Sequence, residues 1–312
     1  MPEPSLHVAV TTSSFGKVGR EPLDRLEAAG VTYTLNPHGR KLTASETEAL
    51  LRSCDGVVAG TEPYTDGVLA GLPGLRVISR VGVGLNSIDL DAASERGVTV
   101  LNTPDAHVDP VAELTIAGIL ASFRDLAPAA DDLRGGTWSK RMGRLLRGAT
   151  VGIVGTGRVG RRLTELLRPF DVELYLYDVV EDAVFADACQ GRYCSLNDLL
   201  GACDVVSLHV PLMDETRGFF GQDQLQKMRP DALLVNTSRG GLIDEAALLE
   251  HIQSHKQFRV YLDVFETEPY AGPLAQEARV LVTPHMGGYA REGRLRMETE
   301  AVDNLLAHFG LA

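Results

Sequence analysis

The sequence is short of positive charge. Its 30 lysines and arginines are outnumbered by 42 aspartates and glutamates, a formal net charge of −12. That argues against nonspecific binding to nucleic acid or an anionic membrane, since both need a basic face. No apolar run approaches the roughly 18 residues of a membrane-spanning helix. The opening MPEPSLHVAV has no basic segment followed by a long apolar core, so no secretory signal is expected. Cysteine is scarce, and Cys54, Cys189, Cys194 and Cys203 form no CxxC pair. No metal site is expected; a reducing cytoplasm fits best, with the thiols as small buried apolar groups. Repeats, low-complexity tracts and charge blocks are also missing. What remains is 44% hydrophobic and 23% charged over 312 residues, ordinary for a globular chain long enough for two cores.

Within that length the apolar segments follow a rhythm. LHVAV (6–10), VTYTL, GVVAG, LRVISRV and VTVLN read as short strands, with helical stretches such as EPLDRLEAAG, SETEALLRS and DLDAASERG between them. The pattern restarts at residue 149 with six more strand candidates: ATVGIVG, VELYLYD, DVVSLHV, DALLVNT, FRVYLDV and RVLVTP. Strands alternating with helices point to parallel α/β architecture. VAELTIAGILASFRDLAPAADDLRGG (111–136) is a long helical stretch, with a break expected near Pro128. The expected fold is α/β, with two Rossmann-like doubly wound parallel-sheet domains and a cleft between them. Residues 1–101 plus 287–312 are expected to form a flavodoxin-like, substrate-binding domain. Residues 102–286 are expected to form a Rossmann domain opening on a dimerisation helix. Leu114, Ile116, Ile119, Leu120 and Phe123 recur there at roughly helical spacing, and part of that face is expected to meet its copy in a second subunit.

VGIVGTGRVG (151–160) joins the first strand of the second series to a helix. A lone GxGxxG is weak evidence, but here it lies between a strand and a helix. The next strand ends in Asp178, about 20 residues on, where an acidic residue accepts hydrogen bonds from an adenine ribose. Gly155 would permit the turn, Gly157 would let the backbone approach a pyrophosphate, and Gly160 would let the helix pack close. Thr156, Arg158 and Val159 complete the loop, and the helix start would supply N–H groups and a favourable dipole. Asp178 would repel a 2′-phosphate, and Val179 and Val180 offer no positive charge, so NAD is expected over NADP. Arg158, Arg161 and Arg162 could neutralise the pyrophosphate or stay solvated.

Three further segments each end a strand candidate: VNTSRGGLIDE (235–245), YLDVFETEP (261–269) and VTPHMGG (282–288). Ligands of doubly wound sheets bind outside the carboxyl ends of strands, so one arginine, one carboxylate and one histidine are placed to converge. With SRVGVGLNSIDL (79–90), LNTPDAHVDPVAEL (101–114) and VSLHVPL (206–212), these segments make the chain resemble the D-isomer-specific 2-hydroxyacid dehydrogenase family over nearly its whole length. It looks most like the phosphoglycerate dehydrogenase and hydroxypyruvate reductase branch.

The resemblance implies an NAD-dependent oxidoreductase moving a hydride between nicotinamide and C2 of a small D-2-hydroxy or 2-keto acid. It implies Arg239, Glu268 and His285 as the catalytic set. The chemistry suits them. A guanidinium fork binds a carboxylate or the reacting oxygen, a histidine exchanges the proton near neutral pH, and a glutamate orients that histidine. The resemblance further implies backbone N–H groups of Val81, Gly82, Val83 and Gly84 on the substrate carboxylate. It implies His209, Val210 and Pro211 beside the adenine, Thr237 and Ser238 on the nicotinamide side, and Asp263 at the carboxamide, with Gly287 also in the cofactor site. The homodimer it implies would carry Trp138 onto its partner and bring Lys140, Arg141 and Arg144 to bind substrate phosphate; alternatively these cations form a solvated basic loop.

The match has departures. Asn86-Ser87 replaces an Asp-Asn pair, and Pro110 stands where a small hydroxyl residue is common. Near Gly60-Thr61-Glu62 there is no phosphate-binding arginine, and Glu62 would be unfavourable beside a phosphate. The stretch between Glu268 and His285 is somewhat short, and the chain ends at Ala312 without the regulatory domain many phosphoglycerate enzymes append. An alternative reading is a non-catalytic NAD-sensing protein on the same fold, which keeps the three side chains but adds partner-binding segments. A formate-type dehydrogenase would need extra segments.

Overall fold

The structure, a computed structural model, describes residues 6–311. The chain divides into two units, Met1–His107 with Gly288–Ala312, and Val108–Gly287. The division falls six residues later than the sequence suggests at its first point and one later at its second. Residues 102–107 stay with the first unit because their polar groups are engaged there. Asn102 Nδ2 donates to Val83 O at 3.0 Å, Gly82 N–H donates to Thr103 Oγ1 at 2.8 Å, and Asn304 Nδ2 donates to Asn102 O at 3.0 Å.

The first unit holds β1 (His7–Val10), β2 (Thr32–Leu35), β3 (Gly56–Ala59), β4 (Val77–Arg80) and β5 (Thr99–Leu101). They form one parallel sheet in the order β2-β1-β3-β4-β5. That is the flavodoxin-like order, whose direction reverses between β1 and β3. Helices cover both faces. The C-terminal helix Arg291–His308 sets Met297, Ala301, Val302 and Leu305 against Val8, Val10, Val58 and Val77. Leu51, Leu69 and Ala93 fill the other side against Val57 and Ile78. A strand buried on both faces reads as an unbroken apolar run, as in the fully buried GVVA of β3, whereas the polar TYTL of β2 lies at the exposed edge.

The second unit holds β6 (Thr150–Val154), β7 (Glu173–Tyr177), β8 (Gly191–Tyr193), β9 (Val205–Leu208), β10 (Leu233–Asn236), β11 (Arg259–Leu262) and β12 (Val280–Val282). Their order is β12-β11-β10-β9-β6-β7-β8, all parallel. This is the dinucleotide-fold order with one strand added, and it reverses between β6 and β9. The sequence suggests six strands and the structure has seven. The extra one, β8, is three residues, Gly-Arg-Tyr, at the sheet edge, too short and too polar to carry a period-2 signal.

The long helical stretch is two helices, Val108–Phe123 and Leu126–Arg134. The break lies at Asp125, not Pro128. Asp125 takes a left-handed φ of 48°, and Arg259 forks onto its carboxylate at 3.0 and 2.8 Å. Pro128 sits in the first turn of the second helix, where a missing N–H costs nothing. The first helix buries Ile119 and Phe123, with Leu114, Ile116 and Leu120 half-buried against the same core. The second helix buries no side chain.

Where the first helix crosses β11 there is no spare volume. A Cβ on Gly118 would lie 2.1 Å from two ring carbons of the fully buried Tyr261. Gly118→Ala forces that ring or the helix aside, so urea unfolding is expected to show a loss of about 1–3 kcal/mol. An alanine protein as stable as the parent would show that the contact is slack.

Candidate active site

In the second unit, β6 runs into the glycine loop. Gly155 has φ +100°, and a Cβ there would fall 2.7 Å from the carbonyl carbon and oxygen of His209. A Cβ on Gly160 would meet the Gly155 carbonyl oxygen at 2.1 Å, so helix Arg158–Leu167 seats directly on the turn. That helix starts at Gly157 with no side-chain cap. In contrast, Asp182, Ser195 and Asp244 cap three other helices of the unit. An uncapped helix start beside an open glycine suits a pyrophosphate.

Asp178 follows β7. Its Oδ2 accepts from the Thr156 N–H at 2.6 Å and hydroxyl at 3.1 Å, and its Oδ1 from the Val180 N–H at 3.2 Å. Burial works against the charge, but these donors leave the carboxyl below its ordinary range. A carboxylate has about four acceptor positions, so capacity for a ribose hydroxyl remains on Oδ1. The edge strand β8 also reaches this loop, since the Tyr193 hydroxyl meets Thr156 Oγ1 at 2.8 Å. His209, after β9, bonds Ser207 Oγ at 2.8 Å through Nε2. Its Nδ1 is buried without a partner among the described residues. Burial lowers its pKa to about 4, which leaves a neutral ring beside Gly155. These residues fit a dinucleotide.

β10, β11 and β12 deliver the remaining groups. Asn236 closes β10 and brackets the next turn, its Oδ1 accepting from the Ser238 N–H and hydroxyl and its Nδ2 donating to Arg239 O at 2.9 Å. Thr237 is held from outside by the Thr115 hydroxyl at 2.8 Å. Arg239 Nη1 donates to Ser238 O at 2.7 Å; burial lowers its pKa, and the nearby Glu268 opposes that. Asp263, after β11, is fully buried. Its carboxylate accepts from Thr283 Oγ1, the Met286 N–H and the Gly287 N–H, while its carbonyl accepts from the His285 N–H at 2.8 Å. Asp263 therefore shapes the loop that carries His285. That residue has φ +51°, a strained conformation costing on the order of 1 kcal/mol that survives because its surroundings over-determine it.

The histidine meets the glutamate. His285 Nδ1 lies 2.7 Å from Glu268 Oε2, and Glu268 Oε1 accepts from the Phe265 N–H at 3.1 Å. Burial opposes the Glu268 charge, but the hydrogen bonds from His285 and Phe265, with the charges of His285 and Arg239, hold its pKa below the ordinary value. With Nδ1 facing a carboxylate, Nε2 is the nitrogen left for proton exchange.

Residues 116–287 match the model of the D-isomer specific 2-hydroxyacid dehydrogenase NAD-binding domain. The chain belongs to the D-isomer specific 2-hydroxyacid dehydrogenase family. The D-3-phosphoglycerate dehydrogenase of Mycobacterium tuberculosis is 37% identical over 281 residues, covering 88% of this chain and 52% of that one. The chain thus spans about half the length of the phosphoglycerate relatives it matches. The hydroxypyruvate reductase of Thermotoga maritima is 34% identical over 261 residues, 82% of this chain and 84% of its own. Among solved structures, the TT0316 protein of Thermus thermophilus superposes with a TM-score of 0.89 at 33% identity, over 97% of this chain and 96% of that one. The second unit is the family's NAD-binding domain, and NAD is its cofactor.

Several side chains expected at ligands are engaged elsewhere. Arg161 pairs with Asp182 at 2.8 Å and bonds Thr156 O, and Arg162 pairs with Asp109 and Glu165. Both therefore brace the helix instead of facing a phosphate. Arg144 is bound to Asp204 at 2.6 Å, and Arg141 to Asp132 at 2.9 Å; Lys140 is exposed. In the first unit, the N–H groups of Val81 and Gly82 already donate to Ala59 O and Thr103 Oγ1. Each N–H carries one proton, so a carboxylate nest there narrows to Val83 and Gly84. Glu62 is buried, its Oε1 accepting from Thr11 Oγ1, the Gly60 N–H at 2.8 Å and the Tyr64 hydroxyl at 2.6 Å. Asn236 and Tyr193 were not singled out from the sequence. The only hint of Asn236 is a polar residue ending a buried strand; Tyr193 gives none.

Proposed function

We propose that the chain is an NAD-dependent oxidoreductase interconverting a small D-2-hydroxy acid and its 2-keto acid. The observation that carries this reading is the 2.7 Å contact of His285 with Glu268 beside Arg239, at the strand ends of an NAD-binding domain. NAD, when bound, supplies or takes the hydride. His285 Nε2 gives a proton to the oxygen that becomes the alcohol and removes it in the reverse direction. Glu268 fixes the ring and stabilises its charged form. Arg239 binds the substrate carboxylate or the reacting oxygen. Asp178 takes the adenine ribose, His209, Val210 and Pro211 flank the adenine, and the glycine loop from Gly155 to Gly160 takes the pyrophosphate. Thr237, Ser238, Asp263 and Gly287 surround the nicotinamide, where Asp263 has one of about four acceptor positions open. The N–H groups of Val83 and Gly84 hold the substrate carboxylate.

Hydroxypyruvate or glyoxylate suits the chain better than a phosphorylated acid. The observation favouring this is that Arg141 and Arg144 already have carboxylate partners. We place the protein in the cytoplasm, a compartment that suits its four free cysteines. The exposed apolar side chains Leu126, Leu133, Trp138, Met142 and Leu145 suit a two-fold dimer, and light scattering at micromolar concentration is expected to return twice the chain mass. A monomer there would refute it.

NADH oxidation against glyoxylate, hydroxypyruvate, pyruvate, 2-ketoglutarate and 3-phosphohydroxypyruvate tests the reaction. NADH is expected to be preferred over NADPH by at least about tenfold, roughly 1.4 kcal/mol. Asp178→Ala is expected to narrow that margin, and equal use of both cofactors by the parent protein would remove Asp178 from the ribose. His285→Ala is expected to lose a factor on the order of 100 in turnover while still binding NADH.

The pH profile tests the glutamate. Glu268 lies against His285 Nδ1 at 2.7 Å, so Glu268→Gln removes the negative charge that partners the ring when it carries the proton. Reduction needs that proton and is therefore expected to fade at lower pH in Glu268→Gln. An unchanged profile would take Glu268 out of the relay.

A further inference from the structure

Glu245 opens the helix Glu245–Ser254, just after the Arg239 turn. It is not the cap of that helix; Asp244 is, accepting from the Ala246 and Ala247 N–H groups at 3.0 Å each. The half-buried Glu245 side chain turns to another loop instead. Its Oε1 accepts from the Glu266 N–H at 2.8 Å.

The same peptide is gripped from a second side. A Cβ on Gly240 would lie 1.8 Å from Phe265 O and 2.7 Å from Glu266 N, so the Phe265–Glu266 peptide rests on bare Gly240 backbone. The next N–H back along the chain, that of Phe265, donates to Glu268 Oε1, and Glu268 Oε2 meets His285. One short series of contacts therefore runs from the Arg239 turn and the helix start to the imidazole.

We propose that Glu245 is a positioning residue for the proton relay: through the Glu266 N–H it holds the 265–268 turn where Glu268 can meet His285. This rests on the relay reading of Glu268 and His285 given above. A side chain that served only the helix start would favour solvent. Glu245 instead accepts partial burial, which pushes its carboxyl above the ordinary range, with the Glu266 charge adding to the effect. Glu266 and Tyr270 are the titratable groups facing it, and Arg239 and His285 those facing Glu268. A misplacement of about 1 Å far from the reacting atoms can cost on the order of 100-fold in rate, and the 265–268 turn sets that placement here.

Two readouts test the proposal: the pH profile of keto-acid reduction, and the titration of the His285 ring followed by NMR in the cofactor-free protein. Glu245→Ala, and Glu245→Asp with its acid one methylene short, are expected to move both readouts in the same direction as Glu268→Gln moves them. Turnover is expected to fall about tenfold or more with NADH binding unchanged. Glu245→Gln keeps an oxygen that accepts from the Glu266 N–H and is expected to restore the parent profile. Lost turnover with both titrations unmoved in Ala and Asp would overturn the proposal, as would a Gln protein behaving like the Ala protein. If Glu268→Gln itself moves neither readout, the relay reading fails and this proposal with it. If Glu268→Gln moves them and the Glu245 variants do not, only the positioning role falls.

Discussion

Every strand in both units pairs in parallel. In a parallel sheet all carboxyl ends lie at one edge, and the return helices cover both faces. The residue just past each strand is then the one free to meet a ligand. In the second unit that rule gathers Gly155 after β6, Asp178 after β7, His209 after β9, Thr237 to Arg239 after β10, Asp263 after β11 and Thr283 to His285 after β12. No other feature of the unit would bring residues from 155 to 285 to one edge.

Buried and half-buried carboxylates then fix the detailed geometry. Asp263 holds three donors of the His285 loop, Asp178 holds the glycine loop by Thr156, and Glu62 ties Thr11, Gly60 and Tyr64 in the first unit. At the opposite edge of the second sheet, Asp204 takes the Thr150 N–H and hydroxyl and pairs with Arg144. Burial opposes its charge, but these donors keep its carboxyl below the ordinary range. A buried acceptor left without donors is costly, so each of these acids dictates the path of the backbone around it. The placement of His285 rests on the same contacts: its N–H is taken by the Asp263 carbonyl, and its Nδ1 meets a glutamate whose own turn touches Gly240 and Glu245.

Much of this was legible in the sequence, and for local reasons. Strands buried on both faces must be apolar runs, so most of the strands appear as such. A turn that admits no side chain must be glycine, so Gly155 and Gly160 mark the loop. Residues that follow a strand are placed by position, so an arginine, a carboxylate and a histidine could be expected to converge. These signals depend only on near neighbours in sequence; the assignment of Arg239, Glu268 and His285, and of Asp263 beside them, came from the family resemblance.

The remainder was decided by partners far apart in the chain. The edge strand β8 is held by pairing with β7 and has no periodic signal of its own. The helix break falls at Asp125 because Arg259, 134 residues on, takes its carboxylate. Whether an arginine faces a ligand or a neighbouring acid is a matter of which acid lies within reach, and so Arg141, Arg144, Arg161 and Arg162 read alike in sequence as free cations while the fold pairs each of them. The same holds for Gly82, whose N–H goes to Thr103, and for Glu245, whose carboxylate crosses to Glu266. Residue type and spacing set which groups are available and which edge they reach; only the tertiary structure, by putting one donor against one acceptor, decided which of them remain open to a ligand.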